Sequence, residues 1–137
     1  MREGTLQCNS TYVVYLLTCQ TCFKQYVGST TTKFRERYNN YKTKFRSYYN
    51  KKISNKLDKC ETIPQAGLFE HFISHGNVTG FRGGKKKEEN WGFWSFMLID
   101  SSPNGNMLLE RESFWQFKLQ TFLPEGLNDR EVSIINI

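Results

Sequence analysis

The chain has 137 residues and a formal net charge of +6, and 15% of its residues are aromatic. A chain of this length suits one domain with one hydrophobic core and is too short for two such domains. The excess of lysine and arginine favours an anionic partner. The apolar run Tyr12–Thr18 is far too short to span a bilayer, so we expect no membrane partner. Since the first residues also lack the pattern of a secretory signal peptide, we expect an intracellular protein.

Two apolar segments joined by a short turn begin the predicted fold. Tyr12–Thr18 consists almost wholly of β-branched, aromatic and other apolar residues, which is typical of a strand buried on both faces. Lys24–Gly28 is shorter and ends at glycine, and the turn Cys19–Cys22 separates the two segments, so we predict a hairpin. Tyr15 and Tyr26 each need a hydrogen-bonding partner if they are buried. They indicate a polar site in a small sheet, and the alternative is that both are ordinary core aromatics.

A basic helix is predicted directly after the hairpin. Its aromatic residues recur at spacings of four and three, as on a helical face that packs on the core: Phe34, Tyr38, Tyr41, Phe45 and Tyr48. Residues 33–59 hold ten lysines or arginines and two acidic residues, a balance of +8. This segment therefore predicts the surface for the anionic partner, unless it is merely solvated. Arg37 flanks the aromatic face, and its planar guanidinium suits a phosphate; the alternative is an exposed salt bridge to Glu36 or a neighbour.

The remaining segments complete an α/β prediction of the α+β type. We expect a loop or frayed helix over Tyr49–Ile63, a helix over Gln65–His75 and a flexible basic loop over Phe81–Asn90. Phe93–Asp100 reads as a third strand, and a final helix runs from about Met107 to Phe122. The prediction is a small, mostly antiparallel sheet of three strands flanked by helices, formed by residues 1–137 as a single domain.

One carboxylate falls on the apolar face of the last predicted helix. The residues of that face are spaced by four, three, four and three: Leu108, Glu112, Trp115, Leu119 and Phe122. A carboxylate there needs a partner, because an unpaired buried charge is strongly unfavourable. A hard divalent cation such as Mg²⁺ or Mn²⁺ would serve, and so would an ion pair with Arg111, Arg37 or a lysine. Glu110 is the rival for the metal.

Four residues of metal-binding type occur as two close pairs. Two cysteines stand three apart in the hairpin turn and two histidines stand four apart on one helical face: Cys19, Cys22, His71 and His75. Two cysteines and two histidines can hold tetrahedral Zn²⁺, provided that the fold brings the two halves together. The alternative is free thiols and two surface histidines. Either Cys8 or Cys60 could replace a histidine.

Five short motifs, in their order along the chain, resemble the GIY-YIG nuclease superfamily. They are Val13-Val14-Tyr15, Tyr26-Val27-Gly28, Phe34-Arg-Glu-Arg37, Leu109-Glu-Arg-Glu-Ser-Phe-Trp115 and Gly126-Leu127-Asn128. The cysteine pair in the hairpin, Gly28–Thr31 and Leu123–Asn128 most resemble the endonuclease domain of Penelope-like retroelements. The resemblance extends from about Tyr12 to Asp129. Val13 replaces a glycine of the first motif, and Tyr41 stands where several relatives carry histidine and others tyrosine.

The resemblance implies a metal-dependent endonuclease that cuts double-stranded DNA. Glu112 would hold Mg²⁺ or Mn²⁺, Arg37 would contact the phosphate, and Tyr15 or Tyr26 would orient or deprotonate the attacking water. Tyr41 and Asn128 would complete the catalytic set. The two-cysteine, two-histidine set resembles the zinc ligands of Penelope-type endonucleases. The cations expected to bind DNA are Lys33, Arg35, Lys42, Lys44 and Arg46.

The nick would leave a 3′-hydroxyl that primes reverse transcription of a retroelement. That implies a reverse transcriptase domain in the same longer protein and a nuclear location. Two alternatives stay open: a structure-specific DNA repair nuclease of the same superfamily, against which the CxxC within the hairpin speaks, and an inactive, zinc-stabilised nucleic-acid-binding module. Target-site preference, the physiological metal, oligomeric state and the number of strands cut do not follow from the sequence.

Overall fold

In the described parts of the chain, three helices flank a three-stranded antiparallel sheet, so the predicted α+β class is confirmed. The computed structural model describes residues 9–56, 65–75, 78–81 and 88–128. The strands occur in the order β2-β1-β3 across the sheet. In chain order the elements are β1 (Val13–Cys19), β2 (Gln25–Thr30), α1 (Phe34–Ile53), α2 (Ala66–His75), β3 (Trp94–Ser101) and α3 (Gly105–Leu119).

Strand β1 is the centre of the sheet and is buried on both faces, as its apolar sequence predicts. It pairs with β2 on one edge and with β3 on the other, so its backbone groups are satisfied on both sides. Val13, Val14 and Leu17 are all fully buried. A strand in this position has no polar face, which explains the continuous apolar run.

The two faces of the sheet have cores of different composition. One face packs against α1 and α2 through a core rich in aromatic rings, including those of Phe45, Phe69 and Phe72. The other face packs against α3 through a smaller, mainly aliphatic cluster of Val14, Leu16, Val27 and Leu108. Because alternate residues of a strand point to opposite faces, β1 and β2 contribute to both cores.

Helix α1 is longer than predicted. The segment Tyr49–Ile63 is predicted as a loop or frayed helix, but residues 49–53 belong to α1. The extension is stabilised by tertiary contacts, because Tyr48 is buried and its hydroxyl donates to Glu70 of α2. Lys52 adds an ion pair to the same carboxylate at 2.9 Å. Residues 57–64 lie outside the described ranges.

Helix α3 begins earlier and ends earlier than the predicted Met107–Phe122. Asn104 caps its start, since its Oδ1 accepts a hydrogen bond from the backbone N–H of Met107 at 3.2 Å. Gln120 has left-handed backbone angles and ends the helix. Phe122 therefore lies beyond α3, although its side chain is buried.

The other predicted elements agree with the structure to within about one or two residues. Strand β3 is shifted by one residue from the predicted Phe93–Asp100, and α2 begins one residue after Gln65. Of the predicted loop Phe81–Asn90, residues 82–87 are outside the description, and Asn90 forms an isolated bridge with Thr79. Within the described parts of the chain, no helix is both long and apolar enough to cross a bilayer.

Candidate functional site

Gly28 lets a tyrosine of the central strand lie over the edge strand. Tyr15 and Gly28 are partners in the β1–β2 register. A Cβ atom at position 28 would lie 2.6 Å from both Cζ and Oη of Tyr15, much closer than such atoms approach. The glycine is therefore required by the tyrosine across from it, and this contact joins the first two motifs of the sequence.

Three tyrosines from three elements lie together beside Gly28; Tyr15 and Tyr41 are buried and Tyr26 is partly buried. The hydroxyls of Tyr15 and Tyr41 are 3.0 Å apart, and their rings meet edge to face with centroids 5.7 Å apart. Tyr26 of β2 is close enough for the Tyr41 hydroxyl to influence its ionisation. Burial raises the pKa of all three phenols above the usual value of 10, and in each case the charge of a neighbouring tyrosine adds to the rise. The trio is neutral at physiological pH.

Glu112 approaches this region from α3 and is held by uncharged donors. Ser29 Oγ donates a hydrogen bond to its Oε1 at 2.5 Å, and Gln116 Nε2 donates to its Oε2 at 3.2 Å. Burial raises the pKa of Glu112, while the Ser29 hydrogen bond and the charge of Arg37 oppose that rise. The carboxylate has neutral neighbours and lacks a close countercharge among the described residues.

The alternative of an ion pair between Glu112 and Arg111 is not found in the structure. The Arg111 guanidinium donates to Asp100 at 3.1 Å, and Trp115 Nε1 donates to the other oxygen of the same carboxylate at 2.9 Å. Arg111 is thus directed to Asp100 of β3 and is not the partner of Glu112. Glu110, the rival metal ligand, is exposed to solvent on the outer side of α3.

Arg37 reaches the same region from the first turns of α1. Its Nη2 donates to Thr30 Oγ1 at 3.1 Å, and no ion pair among the described residues involves it. Its charge lowers the pKa of Tyr15, Tyr26, Tyr41 and Glu112, which places all four within its electrostatic range. A cavity of about 300 Å³ opens beside it, lined by Thr32, Glu36, Arg37, Asn40 and Lys44.

Five of the six predicted catalytic side chains therefore surround the middle of β2. The phenols of Tyr15, Tyr26 and Tyr41 lie on the side of α1, and Glu112 comes from α3 on the opposite side of the sheet. Gly28 of this edge strand leaves room for the Tyr15 ring, and the charge of Glu112 raises the pKa of Tyr15 and Tyr26. The arrangement combines an arginine, a carboxylate and three neutral hydroxyls.

Asn128 is placed differently from the other predicted catalytic residues. Its Oδ1 accepts from Val27 N–H at 2.8 Å and from Thr121 Oγ1 at 2.6 Å, and its Nδ2 donates to Val27 O at 2.9 Å. The residue is only 5% exposed. These bonds tie the segment after α3 to the edge of β2, so Asn128 holds the backbone next to Gly28.

Two residues for which the sequence predicted no role support the carboxylate. Gln116 is 6% exposed, and its Nε2 is shared between Glu112 and the carbonyl of Val27. Its position four residues after Glu112 is the only local signal for this contact. Ser29 comes from β2, and no spacing rule connects it to α3, so the sequence alone could not reveal its contact with Glu112.

A second group of polar residues lies at the other end of the hairpin. The ligand atoms of Cys19, Cys22 and His71 all lie within 4.8 Å of one another, and Cys22 Sγ is 3.3 Å from His71 Nε2. This group could hold a metal such as zinc. Burial, followed by His75 and Lys24, lowers the pKa of His71, which favours the neutral imidazole that binds metals.

The fourth predicted zinc ligand lies next to this group without joining it. The ring of His75 stacks on that of His71, with centroids 4.3 Å apart, and it is exposed. The metal-binding group among the described residues therefore has three members, and His75 is the nearest histidine to it. Cys8 and Cys60 lie outside the described residues.

The five predicted DNA-binding cations divide between two sides of α1. We call Lys33, Arg37, Asn40 and Lys44 the Arg37 flank, because their spacing puts them on one side of the helix next to the candidate catalytic residues. Lys33 and Lys44 are exposed there. We call Arg35, Tyr38, Lys42 and Arg46 the Trp91 flank, since they lie on the other side of the buried aromatic face.

The Trp91 flank is largely occupied by its own neighbours. Arg46 donates to both oxygens of Glu89, at 2.6 and 2.8 Å, and the Glu89 side chain is only 5% exposed. Lys42 Nζ lies 5.1 Å from the ring centre of Tyr38 and 5.3 Å from that of Trp91. Two of the predicted DNA-binding cations thus have intramolecular partners, which leaves Arg35 as the exposed cation of this flank.

Comparison with known proteins identifies no relative. No family model matches the chain, and neither the curated proteins nor the solved structures contain a match. The interpretation of the site therefore depends on the chemistry of its residues, on their geometry and on the motif resemblance described above.

Proposed function

We propose that the chain is a metal-dependent DNA endonuclease of the GIY-YIG type. The observation that carries the proposal is the convergence of Glu112, Arg37 and three tyrosine hydroxyls around Gly28 of an edge strand. Hydrolysis of a phosphodiester needs charge stabilisation on the phosphate and an oriented water molecule. This set contains residue types for both tasks, and the basic Arg37 flank adjoins it.

Glu112 is suited to hold the catalytic metal. Its close partners are the neutral donors Ser29 and Gln116, so its charge remains available for a cation. Burial disfavours the ionised carboxylate, and a divalent ion would reverse that effect. Mg²⁺ or Mn²⁺ bound there would polarise the phosphate and stabilise the leaving oxygen.

The other members of the site have separate roles. Arg37 stabilises the negative charge that develops on the phosphate oxygens. The neutral hydroxyls of Tyr15 and Tyr26 orient the attacking water, since their raised pKa values oppose action as a base in the metal-free site. Tyr41 fixes Tyr15 through their hydrogen bond, and Asn128 fixes the β2 backbone.

The Cys19–Cys22–His71 group forms a separate, structural zinc site in this proposal, with His75 as the fourth ligand. Zinc would link the hairpin turn to α2, and its binding energy would contribute directly to folding. We expect Cys22→Ser to lower the melting temperature and to abolish the effect of a chelator on melting. A protein that contains no zinc by elemental analysis and melts identically with chelator would contradict this site.

The biological setting follows from the resemblance to Penelope-like retroelements. The nick would provide a 3′-hydroxyl for reverse transcription by a polymerase domain of the same longer protein in the nucleus. Primer extension from the nicked product by an added polymerase tests the 3′-hydroxyl, and a product that cannot be extended would contradict it.

The central experiment measures nicking of supercoiled plasmid with Mg²⁺ or Mn²⁺. Glu112→Gln should abolish most activity, and the exposed Glu110→Gln is the matched control on the same helix. A second measurement does not depend on activity: Mg²⁺ or Mn²⁺ should raise the melting temperature of the wild type and not that of Glu112→Gln. Equal activity in the two variants would exclude Glu112 as the metal ligand. A wild type that does not nick DNA, and whose melting temperature does not change with Mg²⁺ or Mn²⁺, would favour the inactive DNA-binding alternative.

A further inference from the structure

Thr30, the last residue of β2, has a buried hydroxyl whose hydrogen-bonding capacity is completely used. The residue is only 4% exposed. Its Oγ1 accepts from the Nη2 of Arg37 and from the backbone N–H of Thr32, both at 3.1 Å, and lies 2.8 Å from the Oγ1 of Thr32. A hydroxyl has two acceptor positions and one proton. Since the two nitrogen donors fill the acceptor positions, Thr30 donates its own proton to the hydroxyl of Thr32.

This assignment leaves the hydroxyl proton of Thr32 available to another acceptor. Thr32 Oγ1 accepts from Thr30, and within the described part of the chain it donates to no other group. Thr32 is exposed and lines the cavity of about 300 Å³ beside Arg37. One oxygen atom of Thr30 therefore holds the guanidinium of Arg37 and also leaves the Thr32 hydroxyl as a donor in the same cavity.

The lining of this cavity suits a phosphate. Its charged residues are Arg37, Lys44 and Glu36, two cations and one carboxylate, which give a balance of +1. Lys44 and Glu36 are both exposed, so water and salt screen their charges more than that of the half-buried Arg37. A phosphate of DNA offers several oxygens that accept from guanidinium, hydroxyl and amide groups alike.

We propose that Thr30 is a positioning residue that presents Arg37 and Thr32 together to one phosphate of DNA. The inference rests on the proposed function, because that phosphate belongs to the DNA that the site would cut. Arg37 supplies the charge, and the Thr32 hydroxyl supplies a second, uncharged donor. Thr30 itself is buried and acts through these two residues. An arginine that is held in place before binding loses less side-chain entropy when it contacts the phosphate.

The first test measures the mobility of the Arg37 side chain and needs no catalysis. Thr30→Val removes the hydroxyl at similar size, Thr30→Ser keeps it, and Thr31→Val is the matched control, since the exposed Thr31 hydroxyl lies in the same turn. In the full chain, the heteronuclear NOE of the Arg37 Nε–Hε group reports motion on the ps–ns timescale. It should fall in Thr30→Val and stay at the wild-type value in Thr30→Ser and Thr31→Val. An unchanged value in Thr30→Val would overturn the proposal.

The second test separates positioning from a merely structural role. Below the melting temperature of every variant, Thr30→Val should lower the rate of plasmid nicking at saturating DNA by about tenfold or more. Thr30→Ser should keep most of the wild-type rate. When Arg37 is already alanine, adding Thr30→Val should cause a much smaller loss, because Thr30 then has no guanidinium to hold. The same loss in both backgrounds would overturn the positioning role.

The third test concerns Thr32, which is exposed and can be changed with little effect on folding. Thr32→Val should weaken binding of duplex DNA, measured without added divalent metal, by about threefold to tenfold. The salt slope should not change, because the variant removes a hydrogen bond and no charge. Unchanged affinity in Thr32→Val would overturn the phosphate contact.

These measurements also distinguish failure of the inference from failure of the proposed function. A wild type that never nicks DNA would contradict the endonuclease. The positioning role would still be supported if Thr30→Val loosened Arg37 and Thr32→Val weakened DNA binding in that protein. Nicking that Thr30→Val does not slow would overturn the positioning role and leave the endonuclease intact.

Discussion

The two basic sides of α1 contain similar residues but have different surroundings. On the Arg37 flank, Arg37 contacts only the neutral Thr30 by hydrogen bonding among the described residues, and it lies within electrostatic range of Glu112. On the Trp91 flank, Arg46 is bound through two hydrogen bonds to Glu89. The sequence presents both as cations on one basic helix. The fold leaves Arg37 available to an anion, whereas Arg46 on the Trp91 flank is paired within the protein.

The difference shows how a buried carboxylate determines the role of a nearby cation. Glu89 is almost fully buried and needs the guanidinium of Arg46, because an unpaired buried charge is costly. Glu112 is half-buried but is held by Ser29 and Gln116, so it does not neutralise Arg37. Net charge therefore indicates an anionic partner for the chain but does not show which cations bind it.

The largest difference is expected in catalysis. Arg37→Ala should reduce nicking by about 100-fold or more, because it removes the charge that stabilises the phosphate in the transition state. Arg46→Ala should change the rate little at a temperature where both variants are folded. Plasmid nicking assays on the two variants make the comparison, and a larger loss in Arg46→Ala would move the catalytic arginine to the Trp91 flank.

For stability, we expect the larger loss in Arg46→Ala and the smaller loss in Arg37→Ala. Arg46→Ala leaves the buried carboxylate of Glu89 without its partner, and we expect a loss of about 1–3 kcal/mol in the free energy of unfolding. Arg37→Ala should lose much less, since it breaks one hydrogen bond to Thr30. Urea denaturation gives both values. The double variant Arg46→Ala, Glu89→Gln should recover part of the loss, and no recovery would mean that the ion pair is not its cause.

DNA affinity should depend on one flank more than on the other. Lys33→Gln with Lys44→Gln removes two exposed cations from the Arg37 flank and should reduce the slope of log K against log salt by about 2. Lys42→Gln should reduce the slope less, because the Lys42 ammonium lies over the rings of Tyr38 and Trp91. Binding titrations at several salt concentrations measure the slopes. Equal effects per lysine would show that DNA covers both flanks.

The smallest expected effect is the change of folding stability with pH that is caused by Glu89 and Glu112. The Arg46 hydrogen bonds hold the pKa of Glu89 below its usual value of 4.5, so Glu89 adds stability above that pH and loses it as the pH falls through the folded pKa. Burial raises the pKa of Glu112, so its contribution is present at low pH and is lost as the pH rises through the folded pKa. At pH 7 without metal, Glu112→Gln should slightly raise the melting temperature and Glu89→Gln should lower it.

The direction of each stability change can be checked by measuring the melting temperature of both variants from pH 3 to pH 8. The advantage of Glu112→Gln over the wild type should disappear as the pH falls, because both side chains are then neutral. Divalent metal should also remove it at pH 7 by stabilising the wild type. If Glu112→Gln is less stable than the wild type at pH 7, the Glu112 carboxylate contributes more to the stability of the fold than to binding of the proposed metal.

Much of the architecture could be predicted from local patterns. The apolar run of β1 indicates a central strand, and the aromatic spacing after Lys33 indicates the core face of α1. The end of α1 could not be predicted, because Tyr48 and Lys52 extend it through contacts with Glu70, which is distant in sequence. Local patterns carry no information about such contacts.

The candidate site was predicted unevenly for the same reason. Motif resemblance identified Tyr15, Arg37 and Glu112, which the fold brings together around Gly28. It gave no role to Ser29 or Gln116, whose importance comes only from their distances to the Glu112 carboxylate. The bond from Asn128 to the backbone of Val27 was equally invisible, since the two residues are 101 positions apart.

The sequence alone determined the alternation of strands and helices, the basic character of α1 and the residue types available for a metal. These properties depend on side-chain chemistry and on periods of a few residues. Only the tertiary structure decided that Arg46 pairs with Glu89 while Arg37 stays near Glu112, and that His71 joins Cys19 and Cys22 with His75 beside them. The reason is physical: burial and electrostatic pairing depend on distances in space, which are set by how the sheet and helices pack.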